Sequence, residues 1–348
     1  MKKIAICIIN YNGSQDTIEC IKSIIVYEQL NDKEIFILDN SSESYDFVRL
    51  KEYLEGLKEH AKVAIWSEKE VRNDENNDIV LIKGEHNYGF AKGNNKLIEI
   101  ALQRKYEYVA LLNNDTVLTA PLFLNCVKAF ELNPSYSIFT ANICYFHSAK
   151  TWNAGGIIFA GYHKYFTTKY INKRRKRRLI PTQFVSGCFF IAKSEIFKKY
   201  GGLSERFFFG EEDYEFSYRM KKNKIKMGVL TSETLYHKIG SSVGKKSNTD
   251  QIGRKLVYYL NKYIDTKTFY SSQLWFFWRL LSNSLIFIKN IRKIGIQGTV
   301  VFLETLNHLA KTRNALDFNA TFKIWEINTL DELKQLKKYS IEEEHQCR

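Results

Sequence analysis

Short apolar runs alternate with amphipathic stretches over the first 120 residues of the chain. The apolar runs Ile4–Asn10, Glu34–Asp39, Ile79–Lys83 and Tyr108–Leu112 predict four buried strands. A helical pattern follows the first run, and another over Gly93–Arg104 predicts a helix between the last two strands. This β-α-β alternation predicts an α/β fold with a mainly parallel sheet flanked by helices.

The pattern changes twice further along the chain. Residues 136–240 mix helices with further predicted strands, and the chain from about 250 onward is helical, aromatic and basic. We therefore expect one α/β domain over 1–249, with halves 1–120 and 121–249, and a helical appendage over 250–348. The strands predicted in the middle section are Ile138–Tyr145, Gly156–Phe159 and Phe184–Ala192.

Polar residues follow each of the first four strands. Asn, Asp, Ser and Gly are common turn residues, so one such strand end alone carries little information. The carboxyl ends of parallel strands meet at one sheet edge, and ligands bind there. Four polar ends together therefore predict a nucleotide-binding rim. The segments are Asn10–Asn12, Asp39–Ser42, Asn87–Asn95 and Asn113–Thr116.

Composition narrows the class of protein. With 348 residues, 45% of them hydrophobic, and three prolines, the chain can bury a large core. Its six cysteines are scattered without a CxxC pair, which argues against a disulfide framework or a zinc site and fits a reducing cytosol. The N-terminal apolar run is too short for a signal peptide, and no uncharged stretch reaches the roughly 18 residues of a transmembrane helix. The net charge of +14 favours anionic partners of any kind.

An acidic cluster follows three consecutive phenylalanines. Glu211, Glu212, Asp213 and Glu215 crowd like charge together, which favours a proton-accepting role for one of them. On a helix, Glu215 and Arg219 lie four residues apart and can pair. The alternative is a solvated acidic helix start, which the helix dipole would favour.

Taken together, the polar strand ends and the acidic segment Phe207–Phe216 with Arg219 resemble the family 2 inverting glycosyltransferases, in the branch often labelled rhamnosyltransferase-like. The resemblance covers about residues 3–244, with the motifs in the expected order. It implies a GT-A fold, a nucleotide-diphosphate-sugar donor and a divalent metal, Mn²⁺ or Mg²⁺.

The resemblance also assigns roles. It implies Asp213 as catalytic base with Glu212 and Glu215 beside it, and Asp115 and His237 as metal ligands. Asn113 stands where relatives often have a first aspartate, and Gly240–Gly244 matches a segment that closes over the donor. Asp115 as a turn cap, and His237 as a structural histidine, remain alternatives. The donor-binding residues implied are Asn10, Tyr11, Asn12, Asp39, Asn87, Gly89, Phe90, Ala91, Gly93, Asn94, Asn113 and Asn114.

Two segments outside these motifs suggest a membrane surface. The basic run Lys173–Arg178 is either a solvated loop or a contact for anionic lipids or a lipid pyrophosphate. The apolar helical pattern of Gln273–Ile288, followed by Lys289, Arg292 and Lys293, suits a helix in a bilayer interface or one packed on protein. Gln297–His308 predicts a second such helix.

The sequence thus predicts non-processive, inverting sugar transfer to a hydroxyl of a glycan or polyprenyl-linked glycan, in surface polysaccharide or glycolipid synthesis. We expect a cytoplasmic protein at the inner membrane surface, able to form oligomers, without a nucleic-acid partner. A non-catalytic basic protein that binds membranes or nucleic acid is an alternative supported by charge alone. A sugar-nucleotide pyrophosphorylase would need a Gly-rich phosphate loop after the first strand, where Asn10–Gly13 stands instead.

Overall fold

A computed structural model describes residues 3–71, 77–239 and 252–336. These residues form two compact units. The first contains the described residues up to Ser204 and those from Glu212 to 239, and the second contains Glu205–Glu211 and 252–336.

The first unit is built on one central sheet. Its strand order is β11-β13-β7-β12-β5-β1-β2-β4-β3, while β6 pairs with β13, β8 pairs with β7, and β9 and β10 form a separate hairpin. The strands are β1 Ile4–Asn10, β2 Lys33–Asp39, β3 Val63–Ser67, β4 Ile79–Lys83, β5 Tyr108–Leu112, β6 Thr116–Leu118, β7 Tyr136–Tyr145, β8 Thr151–Asn153, β9 Gly156–Phe159, β10 Tyr162–Tyr165, β11 Leu179–Thr182, β12 Phe189–Lys193 and β13 Lys226–His237.

Helices cover both faces of this sheet. Successive residues of β1 alternate between the two cores: Ile4, Ile6 and Ile8 pack on one side, Ala5 and Cys7 on the other. This alternation is the two-residue period of a strand, and burial on both faces explains the continuous apolar runs. The helices of this unit are α1 Ser14–Tyr27, α2 Ser44–Gly56, α3 Gly89–Gln103, α4 Phe123–Leu132, α5 Thr168–Arg174, α6 Ser194–Tyr200 and α7 Glu212–Lys222.

One half of the sheet is parallel, as predicted. β1 pairs in parallel with β2 and β5, and β4 pairs in parallel with β2 and β3. All four predicted strands are confirmed to within a residue. The edge strand β3 was not predicted, because its short apolar run lies in a long polar connection.

The strands predicted for the middle section are confirmed only in part. β7 contains the predicted Ile138–Tyr145, and β9 matches the predicted Gly156–Phe159. β12 runs antiparallel to both β5 and β7 and begins at Phe189, not at Phe184 as predicted. The unpredicted β13 runs parallel to β7 with a register shift between Leu230 and Thr234. That irregularity interrupts the strand pattern, which is why the sequence did not reveal it.

The second unit is helical, which confirms the predicted helical character of the C-terminal region. Its helices are α8 Ile252–Phe269, α9 Ser272–Thr312 and α10 Phe318–Trp325. Both predicted helices of this region fall within α9, where Gly295 breaks the helical geometry at φ 71°. Among the described residues, none of the helices is long and apolar enough to cross a membrane.

The segment Glu205–Glu211 is held within this second unit by a buried ion pair. Lys262 Nζ lies 2.9 Å from Glu211 Oε2, and both side chains are almost fully buried. Burial raises the pKa of the Glu211 carboxyl, and the Lys262 ammonium opposes that rise. Asn261 Nδ2 also donates to the carbonyl of Phe209 at 3.0 Å. The left-handed backbone of Glu211, at φ 71°, is strained for a residue with a side chain and is maintained by these contacts.

Replacing Lys262 tests how much this ion pair contributes to stability, because it leaves the Glu211 carboxylate buried without a positive charge. We expect Lys262→Met to lower the free energy of unfolding by about 3–5 kcal/mol, because Glu211 is left without its buried partner. The double variant Lys262→Met/Glu211→Gln should lose less. Urea unfolding followed by circular dichroism measures both, with Lys267→Met as a control from the same helix. Equal losses for the single and double variants would contradict the pairing.

Candidate active site

The carboxyl end of β1 is braced by a buried amide. Asn10 is fully buried, and its Nδ2 donates to Asp39 Oδ1 at 2.8 Å and to Asp46 Oδ2 at 3.0 Å. Its Oδ1 accepts from the hydroxyl of Thr17 at 2.7 Å. Burial raises the pKa of the Asp39 carboxyl, while bonds from Ser42 and Asn10 oppose that rise. Asn10 therefore holds the ends of β1 and β2 together beneath the rim.

The loops after β2 and β4 are joined by two asparagines. Asn40 Nδ2 donates to Asn87 Oδ1 at 2.7 Å, and the amide of Tyr88 donates to Asn40 Oδ1 at 2.9 Å. The amide of Gly89 donates to Asn87 Oδ1 at 2.9 Å. These bonds fix the turn from which α3 starts.

Helix α3 begins one turn earlier than the sequence predicted. Gly89, at φ 73°, is its first residue, so Gly93 is not at the helix start. A Cβ at Gly93 would lie 3.2 Å from Ile9 Cδ1, and the glycine therefore lets the helix pack closely on the sheet. The first-turn amide groups that have no partner within the helix belong to residues 89–92, and that of Gly89 already donates to Asn87.

Asp115 and His237 meet although 122 positions separate them in the chain. His237 ends β13 opposite Thr116 of β6, and its Nε2 lies 3.0 Å from Asp115 Oδ1. Both side chains are buried. The ring of Trp152 packs edge-on against the imidazole, with centroids 4.5 Å apart.

This pair fits a divalent cation. Adjacent ligands of an octahedral ion, each about 2.1 Å from it, are about 3.0 Å apart. The Asp115–His237 separation of 3.0 Å is that of an ion pair, and it is also compatible with two adjacent ligands of one cation. Carboxylate and imidazole are both groups that bind divalent metals. Among the described residues, no group of three or more His, Cys, Asp and Glu side chains converges. A cation held here would thus take its remaining ligands from Asn113, from water or from a bound phosphate.

Asp213 lies in the first turn of α7, beside a glycine. The amide of Gly187 donates to Asp213 Oδ2 at 3.1 Å. A Cβ at Gly187 would lie 3.0 Å from the ring of Phe90 and 3.7 Å from Asp213 Cβ. The glycine therefore lies between the start of α3 and the start of α7, and brings Phe90 and Asp213 close together.

Cys188 shows that Asp115 and Asp213 border the same region. Burial raises the pKa of its thiol well above the usual range, and the negative charges of Asp115 and Asp213 raise it further. The carbonyl of Cys188 accepts from the amide of Asn113 at 2.8 Å. The two predicted carboxylates thus flank one short turn, residues 186–188.

The rest of the acidic cluster is paired rather than crowded around Asp213. Arg219 binds Glu215 with Nε at 3.0 Å and NH2 at 2.8 Å, which confirms the predicted pairing. The same guanidinium donates to the carbonyl of Gly202 at 2.6 Å, so it also anchors α7. Glu211 is likewise bound to Lys262. Each of these two carboxylates has a cationic partner, which offsets part of the like charge near Asp213.

The predicted site residues fall into two groups, which we call the rim and the support. Rim residues are at least partly exposed at the carboxyl ends of the strands. Support residues are buried, and several of them use their polar atoms in internal hydrogen bonds; Asn114 Nδ2, for example, donates to the Thr17 hydroxyl at 3.0 Å. Gly240–Gly244 lies outside the described residues. The rim contains Tyr11, Asn12, Asn87, Phe90, Asn113 and Asp213, and the support contains Asn10, Asp39, Gly89, Ala91, Gly93, Asn94, Asn114, Glu212 and Glu215, with Asp115 and His237 buried beside it.

Sequence reasoning missed several residues of this network. Asp46 accepts from Ser14 Oγ at 2.7 Å as well as from Asn10, and its only local signal is an acidic residue in the first turn of α2. Lys238 donates its amide to the Asp115 carbonyl and its Nζ to Asp16 at 2.7 Å. Trp152 has no local signal, because β8 reaches His237 only through the folded sheet.

Solved structures share this fold. GalNAc-T7, in a crystal structure with UDP, GalNAc and Mn²⁺, aligns with TM-score 0.53 and 12% identity over 93% of this chain. The alignment spans only 56% of the GalNAc-T7 chain. Residues 1–349 of S. aureus TarS align with TM-score 0.51 and 12% identity over 88% of this chain and 91% of TarS. These similarities confirm the expected GT-A-like architecture.

Sequence comparisons with protein families agree with the fold. A search of curated protein sequences gives no significant match. The profile for "Glycosyl transferase family group 2" matches residues 108–307. The profile for "Glycosyl transferase family 2" matches residues 5–201, which is more than half of the chain and includes every rim residue except Asp213. The chain belongs to glycosyl transferase family 2.

Proposed function

We propose that this protein transfers a single hexosyl or deoxyhexosyl unit, with inversion, from a nucleotide-diphosphate sugar to a hydroxyl of a glycan or polyprenyl-linked glycan. Family membership supports sugar transfer from a nucleotide sugar and favours it over the pyrophosphorylase and nucleic-acid alternatives. One observation carries the finer proposal: Asp213 is held by the Gly187 amide beside Phe90, at the sheet edge that also contains Asp115 and His237.

Asp213 is the proposed base. An acceptor hydroxyl must lose its proton as its oxygen attacks the anomeric carbon, and a positioned carboxylate accelerates such a step by about 10²–10⁴. The Gly187 bond orients the carboxylate, while the partial exposure of Asp213 leaves it accessible to an acceptor. Glu212 and Glu215 stabilise the start of α7, Glu215 through Arg219.

Donor contacts are proposed for the rim residues and for the first-turn amides of α3. A diphosphate carries negative charge, which peptide N–H groups at a helix N-terminus stabilise. Asp39 is almost fully buried, and both of its oxygens already accept hydrogen bonds, from Asn10 and from the Ser42 amide. Its proposed role is therefore to shape the loop after β2, so that donor contacts come from Tyr11, Asn12, Asn87 and Asn113.

Asp115 and His237 are the groups proposed to hold Mn²⁺ or Mg²⁺. Bound there, the cation would neutralise charge that develops on the leaving nucleotide diphosphate. Relatives often have an aspartate at the position of Asn113, so this chain has one negative charge fewer at this end of the sheet. The presence of UDP and Mn²⁺ in the GalNAc-T7 crystal supports a nucleotide and cation in this fold.

The cellular setting is also a proposal. We place the reaction at the cytoplasmic face of a membrane, in the synthesis of a surface polysaccharide or glycolipid, in the branch of the family that resembles rhamnosyltransferases. The +14 charge and the exposed basic residues of 173–178 support an anionic surface or a lipid pyrophosphate as partner.

The role of Asp213 is tested by removing its basicity while keeping its size. Asp213→Asn should lower kcat by about 10²–10⁴, because an amide cannot accept the acceptor proton. Nucleotide binding, measured by thermal shift, should persist, because the donor contacts lie elsewhere on the rim. Glu195→Gln, an exposed carboxylate of α6, is the matched control. A kcat for Asp213→Asn equal to that of the parent would rule out Asp213 as the base.

The cation proposal predicts a binding change that does not depend on turnover. Asp115→Asn and His237→Ala should each weaken Mn²⁺-dependent thermal stabilisation by nucleoside diphosphates about tenfold or more in apparent affinity. The measurement is a titration of UDP, GDP and dTDP with and without MnCl₂. Asp16→Asn, which removes a nearby carboxylate bound to Lys238, is the control. Unchanged Mn²⁺ dependence in Asp115→Asn would overturn the assignment.

A further inference from the structure

The first half of helix α9 has an apolar face turned outward. All side chains of this face are exposed, with Leu281 at 69% and Phe277 at 62%. They recur at the three- and four-residue spacing of a single helix face. The face consists of Leu274, Phe277, Leu280, Leu281, Leu285 and Ile288.

The opposite face of the same helix buries polar groups among apolar ones. Arg279, Ser282 and Asn290 are buried there together with Trp278 and Ile286. The Arg279 guanidinium lies 4.7 Å from the centre of the Trp275 ring. Asn283 accepts from the Tyr263 hydroxyl at 2.8 Å and exchanges amide hydrogen bonds with Asn307.

The outward apolar face and the buried polar groups both depart from what water selects. A helix on an aqueous surface puts apolar side chains inward and polar ones outward. A helix in contact with hydrocarbon directs its polar groups to protein partners, because lipid offers no hydrogen bonds, and exposes apolar side chains instead. The outward face of α9 therefore fits an apolar surrounding, and scattered exposed leucines would not produce the same spacing.

The charged residues near this face distinguish a lipid bilayer from a second copy of the chain as its partner. No acidic residue occurs between Asp265 and Glu304 in the sequence. Lys289, Arg292 and Lys293 follow the apolar face on the next turns of α9, and all three are exposed. A second copy of this chain would bring its own basic residues to the contact and no acidic group to offset them. Anionic lipid head groups above hydrocarbon complement both the apolar face and its basic end.

We propose that the outward face of α9, residues 274–293, binds an anionic lipid bilayer and lies in its interface, with the basic end at the head groups. The proposal places α9 along the bilayer surface and not across it. This proposal names the surface that binds the membrane, and it rests on the membrane location proposed above. Vesicle binding can nevertheless be measured without sugar transfer.

Flotation of the full-length protein with vesicles tests the assignment without donor or acceptor. The parent should bind vesicles of phosphatidylglycerol and phosphatidylcholine, and more weakly those of phosphatidylcholine alone. Leu281→Glu/Leu285→Glu should lower partitioning about tenfold or more, because each change removes apolar contact and adds repulsion. Lys289→Gln/Arg292→Gln/Lys293→Gln should lower binding to the anionic vesicles selectively and reduce its salt dependence.

Matched controls separate this face from other exposed groups. Leu132→Glu/Phe159→Glu makes the same charge change at two side chains of the first unit that are 82% and 79% exposed. Lys128→Gln/Lys198→Gln/Lys222→Gln removes three charges from exposed lysines of the first unit instead. Both controls should keep most of the vesicle binding. Thermal stability and Mn²⁺-dependent nucleotide binding, measured on every variant, distinguish a failure of this proposal from misfolding or from a failure of the proposed activity.

Three results would overturn the proposal. The first is a parent protein that does not float with anionic vesicles. The second is a Leu281→Glu/Leu285→Glu variant that stays folded and partitions like the parent. The third is a parent dimer that the same substitutions convert to monomer without affecting vesicle binding, since that would assign the face to a second copy of the chain.

Discussion

One backbone hydrogen bond joins the two halves of the candidate active site. The amide of Asn113, just after β5, donates to the carbonyl of Cys188, just before β12, at 2.8 Å. β12 runs antiparallel to β5, so the turn that precedes β12 lies beside the end of β5. The residues at that end include Asp115, and the turn includes Gly187, which binds Asp213. This reversal of strand direction therefore brings the segment of Asp115 and the helix of Asp213 to the same turn.

The rim depends on buried polar groups that are already satisfied by one another. Asn10, Asp39, Asp46 and Thr17 form one connected set of hydrogen bonds, and Asn40 with Asn87 forms another. Satisfied buried networks restrict the loops to one arrangement, whereas a half-satisfied network would be costly. The side chains that remain at the surface can then bind a donor without ordering the loops first.

The second unit combines a strained segment with an inverted helix. Segment Glu205–Glu211 ends in a left-handed glutamate whose carboxylate is buried against Lys262 and leads directly into α7, where Asp213 lies. The first half of helix α9 exposes an apolar face and buries Arg279, Ser282 and Asn290. Both features are unfavourable in water alone, and the second is the basis of the lipid surface proposed above.

Local pattern alone determined the parallel core, the polar strand ends and the acidic helix start. Fully buried strands require continuous apolar runs, and a site at their carboxyl ends requires polar residues just after them. The same local reasoning placed the start of α3 at Gly93, because it could not detect the positive φ of Gly89. It also missed β13, whose pairing with β7 is irregular, and the neighbours that β13 brings to Asp115.

Tertiary structure decided which polar residues face a ligand. Asn10 and Asn87 look equivalent in the sequence, yet one is fully buried as a brace and the other keeps surface at the rim. The pairing of Asp115 with His237 and the contact of Gly187 with Asp213 join residues far apart in the chain. Such contacts follow from strand order and direction, which depend on the packing of the whole sheet rather than on any local run of residues.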